Sequence, residues 1–330
     1  MLRSVRLLAL SLALALLAPL PAHAQEPDGL AVTGWILGSG TNELVARNAG
    51  GLSTLSVAGV SITPNGAGVD APSDDVKRLA RTAHRNDLTA ELLVSNYSNR
   101  TEDFDPRALH RLLSSDAKIT AVAERLAGFV AAQHWDGVNV DLERVRRGDA
   151  GGLVRFVQAI QDGMAAAKTV TIDISAATSV PAYRDRGYDL GGLADAADVI
   201  KLMTYDYSGP TWSKAGPIGP LPWQRDALDA ILTVVPPGQV DLGVAGYGYT
   251  WPKEGTGRSL TIRMVRGIVH RNGAEAHWRA TVGEWTAKLA NGTVLWWSDG
   301  RSYRKRVALA QEYGVHGLAV WRIGSADTLR

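Results

Sequence analysis

The sequence has no cysteine, only three phenylalanines and no excess of either charge. Without cysteine, the chain can form no disulfide framework, no thiol nucleophile and no cysteine-ligated metal site. It has 35 basic and 33 acidic residues, and this balance does not suggest nucleic acid or an anionic membrane surface as a partner. After the N-terminal leader no apolar run reaches the roughly 20 residues that span a membrane. Its 330 residues, 45% hydrophobic, suit a globular chain with a large core.

The first 24 residues have the pattern of a secretory signal peptide. Arg3 and Arg6 precede an almost wholly apolar run, Leu7–Leu17, and Ala22–Ala24 supplies an A-x-A cleavage pattern. The run is too short for a membrane anchor, and no cysteine follows it for lipid attachment. Without Arg3 and Arg6, the remaining 33 basic residues equal the 33 acidic ones. We expect cleavage near Ala24 and export of residues 25–330, to the periplasm or the medium, as one soluble, monomeric domain.

From Gln25 onward, short apolar runs alternate with helical patterns. Eight runs are interpreted as strands: Val32–Leu37, one within Leu52–Ile62, Leu88–Val94, Trp135–Glu143, Val170–Ser175, Asp198–Asp206, Val240–Ala245 and Gly317–Trp321. Helices are predicted from Ser73 and over Pro106–Leu113, Ala117–Gln133, Ala150–Ala167, Leu190–Ala196 and Gln224–Leu232. This alternation predicts an α/β fold, the TIM (β/α)8 barrel. An open doubly wound sheet is the alternative, but the Gly34–Gly40 region lacks the dinucleotide-binding glycine spacing.

A predicted insertion, at about residues 253–312, separates the seventh strand from the eighth. It contains a helical piece, Leu260–Val269, and two strand-like runs joined through Asn291-Gly292, a strong hairpin signal. Ser302 is predicted to cap the helix that leads into the eighth strand. Four tryptophans of the insertion either line a cleft or form a small core of their own: Trp278, Trp285, Trp296 and Trp297.

The fourth strand carries the most informative pattern. Asn139, Asp141 and Glu143 alternate with apolar residues, so they share one face of the strand. A solvated edge strand could carry such a face. In a chain whose strands are buried on both sides, however, two carboxylates on one face are costly unless they have a function.

In a barrel of this type, the C-terminal ends of the strands meet at one mouth. The residues expected there are Tyr97, Asn139, Asp141, Glu143, Met203, Tyr205, Asp206, Tyr247, Tyr249, Trp251 and Trp321. No histidine is among them, which weakens the case for a metal-dependent hydrolase; we predict no metal and no cofactor. Carboxylates with tyrosine and tryptophan suit glycoside chemistry, because these rings pair a flat apolar face with a polar group.

These residues resemble a known family. Asp136–Glu143 resembles the D-G-x-D-x-D-x-E signature of glycoside hydrolase family 18, and Met203–Asp206 resembles its M-x-Y-D signature. Trp321 stands where the family has its strand-eight tryptophan. Asn139 and the Tyr247–Trp251 run are similar to the branch that contains bacterial spore-cortex N-acetylglucosaminidases. The resemblance extends from about Val32 to the C-terminus.

The resemblance implies a role for each main residue. Glu143 would be the general acid, with a pKa raised by burial and by a negative neighbour. The substrate's own N-acetyl group would attack the anomeric carbon, and Asp141 would orient it and stabilise the oxazolinium intermediate. Tyr205 would hydrogen-bond the acetamido oxygen, and Asp206 would contact the same sugar or the acid.

The resemblance also implies how the sugar is held. Trp321 would form the floor beneath the sugar ring, whereas Met203 would form part of the wall or the core. Tyr97, Tyr247 and Trp251 are further candidates for substrate contacts.

One position departs from the family pattern. Most members have aspartate where this chain has Asn139, and that aspartate shares a proton with the middle aspartate of the signature. An amide cannot do so. We therefore expect Asn139 to hold Asp141 by hydrogen bonds, and the pH profile to depend less on a coupled carboxylate pair.

The resemblance implies a secreted β-N-acetylglucosaminidase or chitinase type of hydrolase, whose substrate is a GlcNAc-containing polysaccharide, peptidoglycan or chitin. Two alternatives remain open. One is a non-catalytic GlcNAc-binding protein on the same barrel, and the other is an endo-acting enzyme on N-glycans.

Overall fold

The computed structural model describes residues 29–329, so the predicted signal peptide lies outside the described part of the chain. Eight parallel strands close into a barrel in chain order: β1 Ala31–Leu37, β2 Thr54–Ser61, β3 Thr89–Ser95, β4 Gly137–Asp141, β5 Thr169–Ser175, β6 Val199–Met203, β7 Val240–Ala245 and β8 Gly317–Trp321. The first and last strands pair, with Ala31 opposite Gly317. The predicted TIM barrel is confirmed, and the open sheet is excluded because this sheet has no free edge.

Ten α-helices occur in the described residues: α1 Asn42–Asn48, α2 Asp74–His84, α3 Pro106–Leu113, α4 Asp116–Gln133, α5 Ala150–Gly163, α6 Val180–Asp185, α7 Leu190–Ala196, α8 Leu221–Ile231, α9 Ile262–Arg271 and α10 Gly300–Tyr313. The predicted α5 was too long: it ends at Gly163, and Met164 is already extended. None of these helices is both long and apolar enough to cross a membrane.

Helix capping confirms one prediction and corrects another. Ser73 accepts a hydrogen bond from the Val76 N–H and begins α2. The predicted cap at Ser302 is wrong, because Asp299 accepts from the N–H groups of Arg301 and Ser302. Ser302 lies inside the first turn of α10 and is fully buried. The helix thus begins three residues earlier, at a carboxylate that also suits the positive end of the helix dipole.

Five antiparallel strands between β7 and β8 form a second sheet, named here the side sheet: Gly248–Trp251, Ser259–Leu260, Ala276–Arg279, Glu284–Lys288 and Val294–Trp297. Trp285 stacks on Trp297 at 6.1 Å between ring centroids, and Trp278 meets Trp285 edge-on at 5.4 Å. Trp297 is buried among aliphatic side chains of the side sheet and α9. Trp285 and Trp297 therefore belong to a small local core, with Trp278 packed at its edge.

The barrel interior carries an ion pair below its mouth. The Lys201 ammonium of β6 lies 2.5 Å from the Glu91 carboxylate of β3, and both residues are almost completely buried. Thr171 of β5 donates a further hydrogen bond to Glu91. Burying two charges is tolerable only when they are paired and hydrogen-bonded, as they are here.

Candidate active site

A cavity of about 650 Å³ opens at the C-terminal ends of the barrel strands; we name it the cleft. Seven residues predicted from the sequence line it: Tyr97, Asp141, Glu143, Met203, Tyr205, Asp206 and Trp321. A smaller adjoining cavity of about 230 Å³ shares Asp206 and Trp321 and is also lined by Tyr247. Among the residues lining these two cavities there is no histidine and none of the side-sheet tryptophans.

Glu143 lies just beyond the end of β4, at the entrance to the cleft. The strand stops at Asp141, two residues earlier than predicted, and the chain after it is held by Asn96. The Asn96 side chain accepts from the Glu143 N–H at 2.8 Å and donates to the Glu143 carbonyl at 2.9 Å. This pair of hydrogen bonds fixes the backbone that carries the Glu143 carboxyl group. The sequence analysis did not identify this role of Asn96.

The environment of Glu143 favours its protonated form. Burial is the largest cause, and the negative charges of Asp206 and Asp173 add to it, so the pKa of Glu143 rises from 4.5 to about 7. The nearby Arg144 guanidinium opposes this rise. A carboxyl group that keeps its proton near neutral pH can act as a general acid.

Asp141 is more deeply enclosed than Glu143. Burial, followed by the charge of Glu143, raises its pKa well above the ordinary value, while a hydrogen bond with Ser95 acts in the opposite direction. Ser95 stands opposite Asp141 in the β3–β4 pairing. The two carboxyl groups on this face are therefore coupled, and each opposes the ionisation of the other.

Asn139 lies beneath the cleft and does not line it. Its side-chain oxygen accepts from the Trp35 indole N–H at 2.9 Å and from the Ser56 hydroxyl at 2.7 Å. Its amide nitrogen donates to Asp173 Oδ1 at 2.8 Å. The indole N–H can only donate, so it fixes which end of the amide faces Asp173. The expectation that Asn139 binds Asp141 is wrong, because both ends of the amide are engaged elsewhere.

Asp173, in the middle of β5, is a cleft residue that the sequence analysis missed. It is buried and lines the cleft beside Asp141. The signal was present, since Thr171, Asp173 and Ser175 alternate with apolar residues in the same way as the polar face of β4.

Tyr205 and Asp206 follow β6. The structure ends this strand at Met203, not at Asp206 as predicted, and Asp206 takes a left-handed backbone conformation with φ 59°. Asp206 Oδ1 accepts hydrogen bonds from the hydroxyls of Tyr247 and Tyr249. Burial raises the pKa of Asp206, and these two phenols partly reverse the rise. Asp206 also lines the cleft, which leaves it accessible to a ligand.

The Tyr205 hydroxyl stays protonated at any working pH. Burial is the largest cause that holds its pKa well above 10, and the surrounding carboxyl groups, of which Asp173 acts most strongly, add to it. Tyr205 is therefore a permanent hydrogen-bond donor at the cleft.

Aromatic rings form the base and rim of the cleft. Trp321 packs edge-on against Trp35 at 5.9 Å between centroids, and it lines the cleft. Tyr97 is exposed on the opposite rim and packs on Phe104. The structure places Trp251 outside the cleft lining, where its indole N–H donates to the Ser213 carbonyl.

Comparisons with known proteins identify the family. Residues 45–326 match the model of Glycosyl hydrolases family 18. The uncharacterized glycosylase YvbX of Bacillus subtilis (strain 168) is 23% identical over 266 residues, which are 78% of this chain and 76% of that protein. The cortical fragment-lytic enzyme of the same organism is 22% identical, over 79% of this chain and 62% of that protein.

A solved structure agrees with the sequence match. The chitinase from Chromobacterium violaceum ATCC 12472 superposes with a TM-score of 0.79 at 25% identity, covering 90% of this chain and 95% of that one. The resemblance inferred from the signatures on β4 and β6 is thereby confirmed, including its spore-cortex branch. The chain belongs to glycoside hydrolase family 18 and is a glycosidase.

Proposed function

We propose that this protein is an exported hydrolase that cleaves β-1,4 bonds of a GlcNAc-containing polymer, peptidoglycan or chitin, by substrate-assisted retaining catalysis. The observation that carries the proposal is Glu143, a carboxyl group with a pKa of about 7 at the entrance of a cleft. Beside it lie a second buried carboxyl group, Asp141, and a permanent donor, Tyr205.

The first step would use these groups in fixed roles. Glu143 gives its proton to the glycosidic oxygen, the bond from that oxygen to the anomeric carbon breaks, and the acetamido oxygen of the same sugar bonds to that carbon. Asp141 orients the acetamido group and balances its developing positive charge, while Tyr205 donates a hydrogen bond to it. In the second step a water molecule attacks the anomeric carbon, the bond from that carbon to the acetamido oxygen breaks, and Glu143 takes a proton from that water, which restores its acid form.

Trp321 and Asp206 would hold the reacting sugar. The exposed face of Trp321 offers an apolar floor for a pyranose ring. The second carboxylate oxygen of Asp206 is available for a sugar hydroxyl, because Oδ1 is occupied by Tyr247 and Tyr249. Tyr247 therefore acts on substrate through Asp206.

The substrate class follows from the family and the relatives. One relative is named a cortical fragment-lytic enzyme and a structural neighbour is named a chitinase, which supports peptidoglycan and chitin as the candidate polymers. We propose that the predicted signal peptide directs the protein out of the cytoplasm. Outside the cytoplasm, peptidoglycan is the nearest such polymer. We also propose that the protein acts as a monomer.

The decisive experiment replaces Glu143 with glutamine. Glu143→Gln should lower turnover of a GlcNAc oligomer by several orders of magnitude with the fold intact, whereas Glu124→Gln, on the exposed side of α4, should leave turnover unchanged. Full activity of the Glu143→Gln variant would refute the assignment of Glu143 as the general acid. Oligomer binding by the wild type without product release would instead indicate a sugar-binding protein.

Mass spectrometry of products from peptidoglycan, chitin oligomers and a glycoprotein separates the substrates. Release of a whole glycan from the glycoprotein would favour the N-glycan alternative.

A further inference from the structure

Two buried carboxyl groups, Asp141 and Asp173, stand side by side at the mouth of the barrel. The register of β4 on β5 pairs Asn139 with Thr171 and Val140 with Ile172, so Asp141 and Asp173 come next on the two strands. Neighbouring strands lie about 4.8 Å apart. Both side chains line the cleft, with exposed fractions of only 9% and 2%. Two carboxyl groups in such a position do not both ionise readily near neutral pH.

The contacts of Asp173 leave one of its oxygens available to Asp141. Oδ1 accepts the Asn139 amide N–H at 2.8 Å, in an orientation fixed by Trp35. Lys201 favours the ionised form of Asp173 from a distance, although its ammonium is already paired with Glu91. Burial and the charge of Asp141 act more strongly and raise the pKa of Asp173 well above its ordinary value.

The other titratable groups around Asp141 and Asp173 either have other hydrogen-bond partners or roles, or do not titrate in the same pH range. Asp206 is held by two phenols, and Glu143 is the proposed acid. Tyr188 and Tyr205 have pKa values raised by burial and by these same carboxyl groups, so they do not ionise. Ser95 faces Asp141 from β3 and does not titrate in this range. Arg144 is exposed at the rim. Asp173 is therefore the neighbour of Asp141 that is able to exchange a proton with it.

We propose that Asp173 is a positioning residue that shares one proton with Asp141 and takes it up when Asp141 ionises. The inference rests on the proposed function, in which Asp141 faces a developing positive charge. In the free enzyme the Asn139 amide favours ionised Asp173, and the shared proton lies on Asp141. As the acetamido group becomes positive, the O–H bond of Asp141 breaks and an O–H bond forms on Asp173 Oδ2. No proton or electron is gained or lost.

The coupling can be tested without any glycosidase activity. The purified protein, labelled with ¹³C at aspartate carboxyl carbons, is titrated by NMR as wild type, as Asp173→Asn and as Asp141→Asn. Each substitution should lower the pKa of the remaining partner by more than about one pH unit, because its negative neighbour is gone. Asp195→Asn, on the exposed side of α7, should change neither titration. An unchanged titration of Asp173 in Asp141→Asn would overturn the proposal.

Kinetics then test the consequence on a GlcNAc oligomer. Asp173→Asn keeps an acceptor for the Asn139 amide but cannot take up a proton, so kcat should fall about 100-fold while KM stays within about threefold.

Wild-type kcat in Asp173→Asn would contradict the shared proton. A wild type that hydrolyses no GlcNAc oligomer would refute the proposed function instead, and the NMR titration would still decide whether the two groups are coupled.

Discussion

The Trp35 indole N–H donates a hydrogen bond of 2.9 Å to the Asn139 side-chain oxygen, and this contact sets the direction of an amide that joins β4 to Asp173. Trp35 belongs to β1 and is almost completely buried. It lies beneath Trp321 and beside Tyr205, so one indole supports both the aromatic floor of the cleft and its hydrogen-bonded base.

Trp35→Phe tests this support. The variant keeps an aromatic ring but frees the Asn139 amide to turn its oxygen toward Asp173, which would oppose the Asp173 carboxylate. We expect kcat on a GlcNAc oligomer to fall roughly tenfold to 100-fold. The matched control is Trp135→Phe, since Trp135 is equally buried and loses an N–H bond to Gln133 at the other end of β4. Equal losses of kcat in the two variants would refute a specific role for Trp35.

Arg144 and Asp103 should tune the alkaline limb of the pH profile. Their side chains pair at 2.7 Å beside Glu143; Arg144 lowers the pKa of Glu143 and Asp103 raises it. The acid must be protonated, so activity falls above a pH of about 7. Arg144→Ala removes the lowering charge, and the limb should move to higher pH; Asp103→Asn should move it to lower pH. Each shift should be about half a pH unit or less, because the pair is exposed and screened by salt.

The pH dependence of kcat/KM measures these shifts, and Arg147→Ala is the control because its partner is the exposed Asp185. Shifts of the same sign in Arg144→Ala and Asp103→Asn would contradict the electrostatic explanation.

Glu143→Gln should stabilise the protein at alkaline pH. The folded state raises the pKa of Glu143 from 4.5 to about 7, so the folded protein binds this proton more tightly than the unfolded chain does. Its contribution to stability is present below pH 4.5 and is lost as the pH rises toward 7. Glutamine does not ionise, so the Glu143→Gln variant does not lose this stability as the pH rises. Urea unfolding at pH 8 should show a gain of about 1–3 kcal/mol that is absent at pH 4; an equal effect at both pH values would contradict it.

Arg306 joins α10 to the side sheet and to the loop before α8. Its guanidinium is fully buried, 3.3 Å from Glu284, and donates to the carbonyls of Gly219 and Gly283. Glu284 in turn accepts the N–H groups of Ile218 and Gly219. Arg306→Met would leave a buried carboxylate without its cation and should lower the free energy of unfolding by about 3–5 kcal/mol.

Chemical denaturation measures this loss, and Lys305→Met, on the exposed side of α10, provides the control. A loss below about 1 kcal/mol in Arg306→Met would show that Glu284 is satisfied by its backbone donors alone.

Local patterns were enough to predict the barrel and much of the cleft. The alternation in β4 predicted that Asp141 and Glu143 share one face of the strand. The succession of eight strands predicted a closed barrel, with these residues at its mouth. The bounds of α3, α7, β7 and β8 matched those in the structure. The predicted ends of some elements were wrong, as for the helix that ends at Gly163 and the strand that ends at Met203. At such ends, capping contacts and the following turn decide where the regular hydrogen bonding stops.

Partners across the barrel could not be predicted in this way. Asn139 is bonded to Trp35, 104 positions away, and to Ser56, 83 positions away. Such contacts depend on the register in which the closed sheet aligns its strands, and no pattern within one strand encodes that register. For the same reason the amide of Asn139 was assigned to Asp141, its neighbour on the strand, when it faces Asp173 on the next strand.

The lack of histidine around the cleft has a practical consequence for chemical labelling. In the described chain, His84, His110 and His316 each lie against an aspartate that does not line the cleft. A histidine-selective acylating reagent therefore has no target among the residues that line the cleft. Any inactivation that it causes would report damage to the scaffold, and carboxyl-directed reagents such as carbodiimides are the ones that can map the site.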